Sequence, residues 1–320
     1  MDSPWLEELI SGLHKKYSSN LDGNVATYIP ELGKANPNDF GICIVTSDGK
    51  VVEVGETSQE FTIQSISKPF TYGMAVEEYG QDKVTKHVGV EPSGDAFNSI
   101  ELEKGTNRPF NPMVNAGAIT STALLYEKHG AKTIDVVLER FSAAAGRQLS
   151  IDKDVYKSES RTGHRNRAIA HLLLNFGMIS EDIEPALDVY FQQCSILVNC
   201  RDLAVMAATL SNLGKNPITK EEVYDIDRVK DMLSIMLTCG MYDYSGQWAY
   251  KVGVPAKSGV SGGVMSVINR QLGIATYSPK LDERGNSCRG IDVSTDLAQE
   301  LGLHAFDCMN LGSSYLKAML

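Results

Sequence analysis

A chain of 320 residues with 42% apolar and 22% charged side chains can close a large core without help from disulfides or a metal. Its formal net charge of −10 argues against a phosphate-backbone partner, which demands clustered Lys and Arg, so no nucleic-acid partner is expected. The longest apolar stretches, such as residues 203–210, fall well short of the ~20 residues a membrane helix needs, and no membrane partner is expected either.

Ser3 as N-cap, Pro4 in the first helical position and Glu7 and Glu8 in the first turn predict a helix that ends near Ser18. Its acidic opening lacks the basic-then-apolar layout of an export signal, which makes the cytoplasm the expected location. FGICIVT and VVEVG then flank Ser47, Asp48, Gly49 and Lys50, a strong hairpin pattern. A short strand, FTI, leads straight into a helix over QSISKPFTYGMAVEEYG. From there to about Gly240 the pattern is mostly helical, with helices expected over 134–144, 167–176, 180–194, 201–213 and 227–239. Strands return in QWAYKVGV, GGVMSVI and LGIATYS, and a helix over STDLAQELG closes the pattern at Gly302.

Strands at both ends around a helical middle predict an α/β fold with one mixed, mainly antiparallel sheet assembled from both termini. The sheet part spans 1–64 and 241–320, the helical part 65–240, and the site is expected at their interface. Six cysteines without a CxxC pair read as free thiols, and His164 and His171 lack a third partner, so no metal and no cofactor are expected.

A serine one helical turn before a lysine supplies a nucleophile with an adjacent base, the arrangement offered by Ser65 and Lys68 in SISK. The same four residues also read as a capping serine and a solvated lysine. A second element, KSG at Lys257, Ser258 and Gly259, tilts the balance, because this box accompanies S-x-x-K in serine acyltransferases. A cation at Lys257 would keep Lys68 neutral by like-charge repulsion, and the nearby glycines would let a strand edge approach a substrate.

The segments TYIPELGKANP, QSISKPF, NPMVNAGAI, YKSE, HRNRAIAHLL, DVYFQQCS and CGMYDYSGQWAYKVGVPAKSGVSGG, with the late SPKLDERGNSCRG, make nearly the whole chain similar to the glutaminase family. The resemblance implies a β-lactamase-like fold, Ser65 as nucleophile, Lys68 as proton acceptor and Tyr242 as a further relay. It implies too that Val260 and Ser65 offer N–H groups to the oxyanion. Tyr28, Asn115, Glu159, Asn166 and Tyr190 are implied to grip the backbone groups of L-glutamine, and a homodimer or homotetramer is implied as the assembly. Pro69 departs from the family pattern and predicts an irregular first turn in the helix after Ser65. Two rival readings stand beside it: a β-lactamase or penicillin-binding-protein-like acyltransferase, which shares both short boxes, and a non-catalytic amino-acid sensor on the same fold, which would be expected to have lost Ser65, Lys68 or Tyr242.

Overall fold

The computed structural model describes residues 4–94 and 99–307, so the expected N-cap Ser3 and the sixth cysteine, Cys308, lie outside the described residues. Among the described residues, ten strands form three sheets. β2 (Gly41–Thr46), β3 (Val51–Gly55), β7 (Ala256–Ser258), β8 (Gly263–Ile268) and β9 (Leu272–Tyr277) make the main sheet, in the order β3-β2-β9-β8-β7. Every pair in it is antiparallel, in keeping with the mainly antiparallel sheet expected from both ends of the chain. β4 (Phe61–Thr62), β5 (Ser150–Ile151) and β6 (Ile196–Val198) form a small second sheet, and β1 (Asn24–Val25) pairs with β10 (Lys280–Leu281). The predicted FTI strand therefore survives as two residues outside the main sheet.

The helices are α1 (Pro4–Tyr17), α2 (Ser67–Tyr79), α3 (Gln81–His87), α4 (Asn115–His129), α5 (Thr133–Ala145), α6 (Lys153–Thr162), α7 (His164–Asn175), α8 (Ile183–Cys194), α9 (Cys200–Ser211), α10 (Ile226–Cys239), α11 (Ser245–Lys251) and α12 (Cys288–Glu300). No helix of the described residues is long and apolar enough to cross a membrane.

Alternation along the strands divides the core in two. Ile42 and Ile44 of β2, with Val264 and Ile274, join the cluster that includes Leu6, Ile10 and Leu13 of α1 and Val293 and Leu297 of α12. Cys43 and Val45, with Met265 and Ala275, join the cluster that includes the apolar side chains of α9. A capping box starts α9: Asp202 N–H donates to Asn199 Oδ1 at 2.8 Å, and Asn199 N–H donates to Asp202 Oδ2 at 2.9 Å. Gly273 then lets α9 lie directly on β9, since a Cβ there would stand 2.3 Å from the Ala208 nitrogen.

Residues 245–251 correct the sequence reading, because α11 occupies part of the expected strand QWAYKVGV. Trp248, Tyr250, Val252 and Val254 look like an alternating strand. Yet Tyr250 is 85% exposed while Trp248 and Val252 are buried four residues apart, which is helical spacing. The Trp248 indole donates to Val254 O at 2.8 Å, holding the turn that leads into β7.

Candidate active site

A cleft of about 310 Å³ opens where the start of α2, the start of α4, the α6–α7 junction and α8 meet. It is lined by Ser65 together with Tyr28, Asn115, Glu159, Asn166 and Tyr190, the five residues that the family resemblance implies grip the glutamine backbone groups. Lys68, Tyr242, Val260 and the KSG residues are not on that lining.

Ser65 does not open α2 itself. It sits in a 3₁₀ turn, Gln64–Ile66, that runs into the helix at Ser67. Gln64 has φ 49°, a left-handed conformation that costs a non-glycine residue roughly 1–3 kcal/mol. Pro69 falls in the first turn of α2, where a missing N–H is tolerated, and the tight turn before it is the irregular start the sequence predicts.

Lys68 is buried, and its Nζ donates to Asn115 Oδ1 at 2.7 Å and to Met113 O at 3.2 Å. Loss of solvent lowers its pKa to about 8, while Cys194 and Glu159 pull it back up. A neutral amine has two N–H bonds and one lone pair, so these two acceptors occupy both donors and leave the lone pair for an incoming proton. Asn115 is oriented by the same contact: with its Oδ1 taken by Lys68, its Nδ2 donates to Asn166 Oδ1 at 3.0 Å.

Tyr242 approaches from the sheet side, also in a left-handed conformation, with φ 56°. Its hydroxyl donates to Ser258 O at 3.1 Å, and the Ser65 hydroxyl is a further hydrogen-bond partner. Burial pushes the phenol up to about 12, so it is protonated at neutral pH. Lys257 Nζ lies 4.1 Å from the centre of the Tyr242 ring and donates to the same Ser258 carbonyl at 2.8 Å. Burial, and then Lys68, hold the Lys257 amine well below its ordinary pKa. Lys68, for its part, is lowered by its own burial and not by the cation expected at Lys257.

Ser258 Oγ donates to Asn286 Oδ1 at 2.6 Å, away from the cleft. At Gly259 a Cβ would meet Ile63 O at 3.1 Å, so the glycine does allow β7 to press close to the segment bearing Ser65. The Val260 side chain packs with Ile29, Leu32 and Leu281, on the wall of a neighbouring cavity.

Glu159 is the carboxylate of the cleft. Burial raises its pKa to about 8, against a hydrogen bond from the Gln64 side chain and the attraction of Lys68. Tyr28 is 55% exposed as a residue, yet its phenol end reaches the buried region near Glu159 and Tyr242, where lost solvation holds the hydroxyl well above its usual pKa. Tyr190 is likewise held up by burial, next to Cys194, which shares a hydrogen bond with it.

Gln64 and Cys194 line the cleft and escaped sequence reasoning. Cys194 stands one helical turn after Tyr190 on α8, so the i, i+4 spacing could have found it. Nothing local marks Gln64, because its backbone conformation depends on what surrounds it.

The glutaminase family profile matches residues 23–306. A glutaminase of Nostoc sp. is 57% identical over 311 residues, covering 97% of this chain and 93% of the relative. A glutaminase of Microcystis aeruginosa is 54% identical over 295 residues, covering 92% and 87%. Among solved structures, a probable glutaminase, ybaS, superposes with a TM-score of 0.92 at 39% identity, covering 96% of this chain and 99% of that one. Mglu in its glutamate form does so with a TM-score of 0.92 at 40% identity, covering 97% and 72%. The likeness extends to the fold, which is the β-lactamase-like architecture of these glutaminases. With the profile spanning most of its length and these relatives more than half identical, the chain belongs to the glutaminase family.

Proposed function

We propose that the chain hydrolyses L-glutamine to L-glutamate and ammonia through a glutamyl ester on Ser65. The observation that carries this reading is the buried Lys68, lowered to about 8 and set against two acceptors that leave the lone pair of its neutral form open, one turn from a serine that lines the cleft. Lys68 takes the Ser65 proton as Oγ bonds to the side-chain carbonyl carbon of glutamine. Tyr242, whose hydroxyl is hydrogen-bonded to that of Ser65, aids Lys68 as a further proton relay. The N–H groups of Ser65 and Val260 stabilise the oxyanion. As the tetrahedral adduct collapses, the proton on Lys68 passes to the departing nitrogen and ammonia leaves. Water, deprotonated by the same lysine, then cleaves the ester, releasing glutamate and returning the proton to Ser65.

Glutamine brings an ammonium and a carboxylate to the other end of the cleft. Glu159 takes the ammonium, while Asn115, Asn166, Tyr28 and Tyr190 supply amide and phenol groups for the rest of the backbone end. We propose further that the chain divides into a sheet part, 1–64 and 241–320, and a mainly helical part, 65–240, with the site at their interface and Tyr28 reaching it from the sheet part, and that the assembly is a homodimer or homotetramer. Light scattering of the purified chain reads the assembly.

Ser65→Ala tests the central claim. Ammonia release should fall to background while glutamine still shifts the thermal midpoint, and an electrophilic glutamine analogue should add mass to the peptide bearing Ser65 in the unmodified enzyme only. Ammonia release at the unmodified rate, or labelling at Cys194, would sink the serine mechanism.

A further inference from the structure

Thr62, the last residue of β4, and Ser261, in the turn between β7 and β8, are both buried, and their hydroxyl oxygens lie 3.1 Å apart. Gln64 Nε2 donates to Thr62 Oγ1 at 3.2 Å. The Gln64 side chain also hydrogen-bonds the Glu159 carboxylate. These contacts form one chain from the β7–β8 turn to the carboxylate of the cleft, and donor counting fixes the direction of its Gln64 end. The ionised carboxylate that a substrate ammonium requires only accepts, so in that state Gln64 presents its amide nitrogen to Glu159. That nitrogen also donates to Thr62 Oγ1, which in turn shares a hydrogen bond with Ser261 Oγ in which either hydroxyl can donate.

We infer that Thr62 and Ser261 are positioning residues that hold the Gln64 amide with its N–H toward Glu159 and thereby keep that carboxylate ionised for a substrate ammonium. The inference rests on the reading of Glu159 as the ammonium partner. Without the Thr62 hydroxyl, nothing on that side retains the amide nitrogen, and Gln64 can turn its carbonyl to the carboxylate. A carbonyl opposite a carboxylate favours a proton between them, and a protonated Glu159 no longer attracts a cation. Since Ser261 follows Val260 directly, the same chain ties the ammonium end of the cleft to the segment proposed to bind the oxyanion. The left-handed Gln64 serves this arrangement, because its one residue places Ser65 on the cleft and its side chain between Thr62 and Glu159.

Steady-state kinetics from pH 6 to 10 on Thr62→Val, Thr62→Ser and Ser261→Ala test it, with glutamine and with glutaric acid monoamide, which lacks the ammonium. Thr62→Val keeps the side-chain shape and removes the hydroxyl. It should raise KM for glutamine about tenfold, the scale of one hydrogen bond to a charged group, with kcat changed less than threefold. The rise of kcat/KM with pH should move to higher pH, and the monoamide should be unaffected. Thr62→Ser should restore unmodified behaviour, and Ser261→Ala should raise KM about threefold. An infrared titration, with Glu159→Gln as the reference that removes the band, follows the protonated carboxyl directly in the full enzyme. A Glu159 band in Thr62→Val that titrates as in the unmodified enzyme overturns the positioning role. A band that moves, with equal losses on both substrates, leaves the relay standing and overturns the reading of Glu159 on which its purpose rests.

Discussion

At the start of α2, Lys68 is enclosed by a carbonyl, an amide and a cleft that holds Glu159 and Cys194; at the edge strand β7, Lys257 is enclosed by a carbonyl and an aromatic ring. Both amines are buried, so both lose solvation. The cleft returns part of that loss to Lys68, which stands at about 8, whereas at Lys257 the charge of Lys68 adds to burial and the amine is held well below its ordinary pKa. Burial alone therefore does not make a catalytic base. A lysine titrating near working pH can both take and return a proton, and it needs a partner to receive that proton from.

Replacing Lys68 attacks this contrast at its strongest point. Lys68→Arg keeps a positive charge that cannot be removed, and it should lower kcat/KM by about a thousandfold, within the usual range for losing a general base. In the unmodified enzyme kcat/KM should rise as pH increases through about 8, because the competent state needs a neutral Lys68 and an ionised Glu159, each at about 8. If the arginine variant retained most of its activity, Lys68 would be acting as a fixed charge.

An intermediate effect is expected at Glu159, the group that helps keep Lys68 within reach of neutral pH. Glu159→Gln should lower kcat/KM for glutamine roughly thirtyfold, the worth of a charge-assisted hydrogen bond of about 2 kcal/mol. The monoamide, poor to begin with, should lose little more. The two substrates and two enzymes close a double-mutant cycle whose coupling energy isolates the carboxylate–ammonium contact.

The smallest effect belongs to the other lysine. Lys257→Met fills similar space and forgoes one hydrogen bond to Ser258 O, so roughly a fivefold loss is expected with the pH profile in place. A charged Lys257 would behave differently: its removal would relieve repulsion on Lys68 and move the profile to higher pH. Measured on one buffer series, the position of the profile decides between the two.

The fold was legible where a pattern is carried by neighbours in the chain. The β2–β3 hairpin, the amphipathic α1 and the apolar strands β8 and β9 follow from alternation and spacing. α4 and α6 were less legible, though they carry Asn115 and Glu159. α4 is buried on nearly all sides, so its small and apolar residues show no stripe, and α6 is so polar that only Val155 and Glu159 turn inward. The site residues were named through resemblance, since no local rule selects an asparagine at a helix start or a glutamate within KSES. Distances between distant segments were beyond the sequence altogether: the link from Lys68 through Asn115 to Asn166 joins three helices, and the Lys257 environment depends on Tyr242 folding over it.

The place of β9 bears on how the chain is made. β2 and β3 leave the ribosome early as a hairpin, yet the partner on the open side of β2 is β9, residues 272–277, which is synthesised after every helix from α2 to α11. For most of translation the apolar segment GICIVT offers unpaired backbone groups along one edge, the feature by which strands recruit foreign strands. The nascent chain thus depends on cover for this edge, first from whatever shields emerging polypeptides and at the end from its own late strand. Truncations before residue 272 should accordingly collect in the insoluble fraction, even when every catalytic residue is already present.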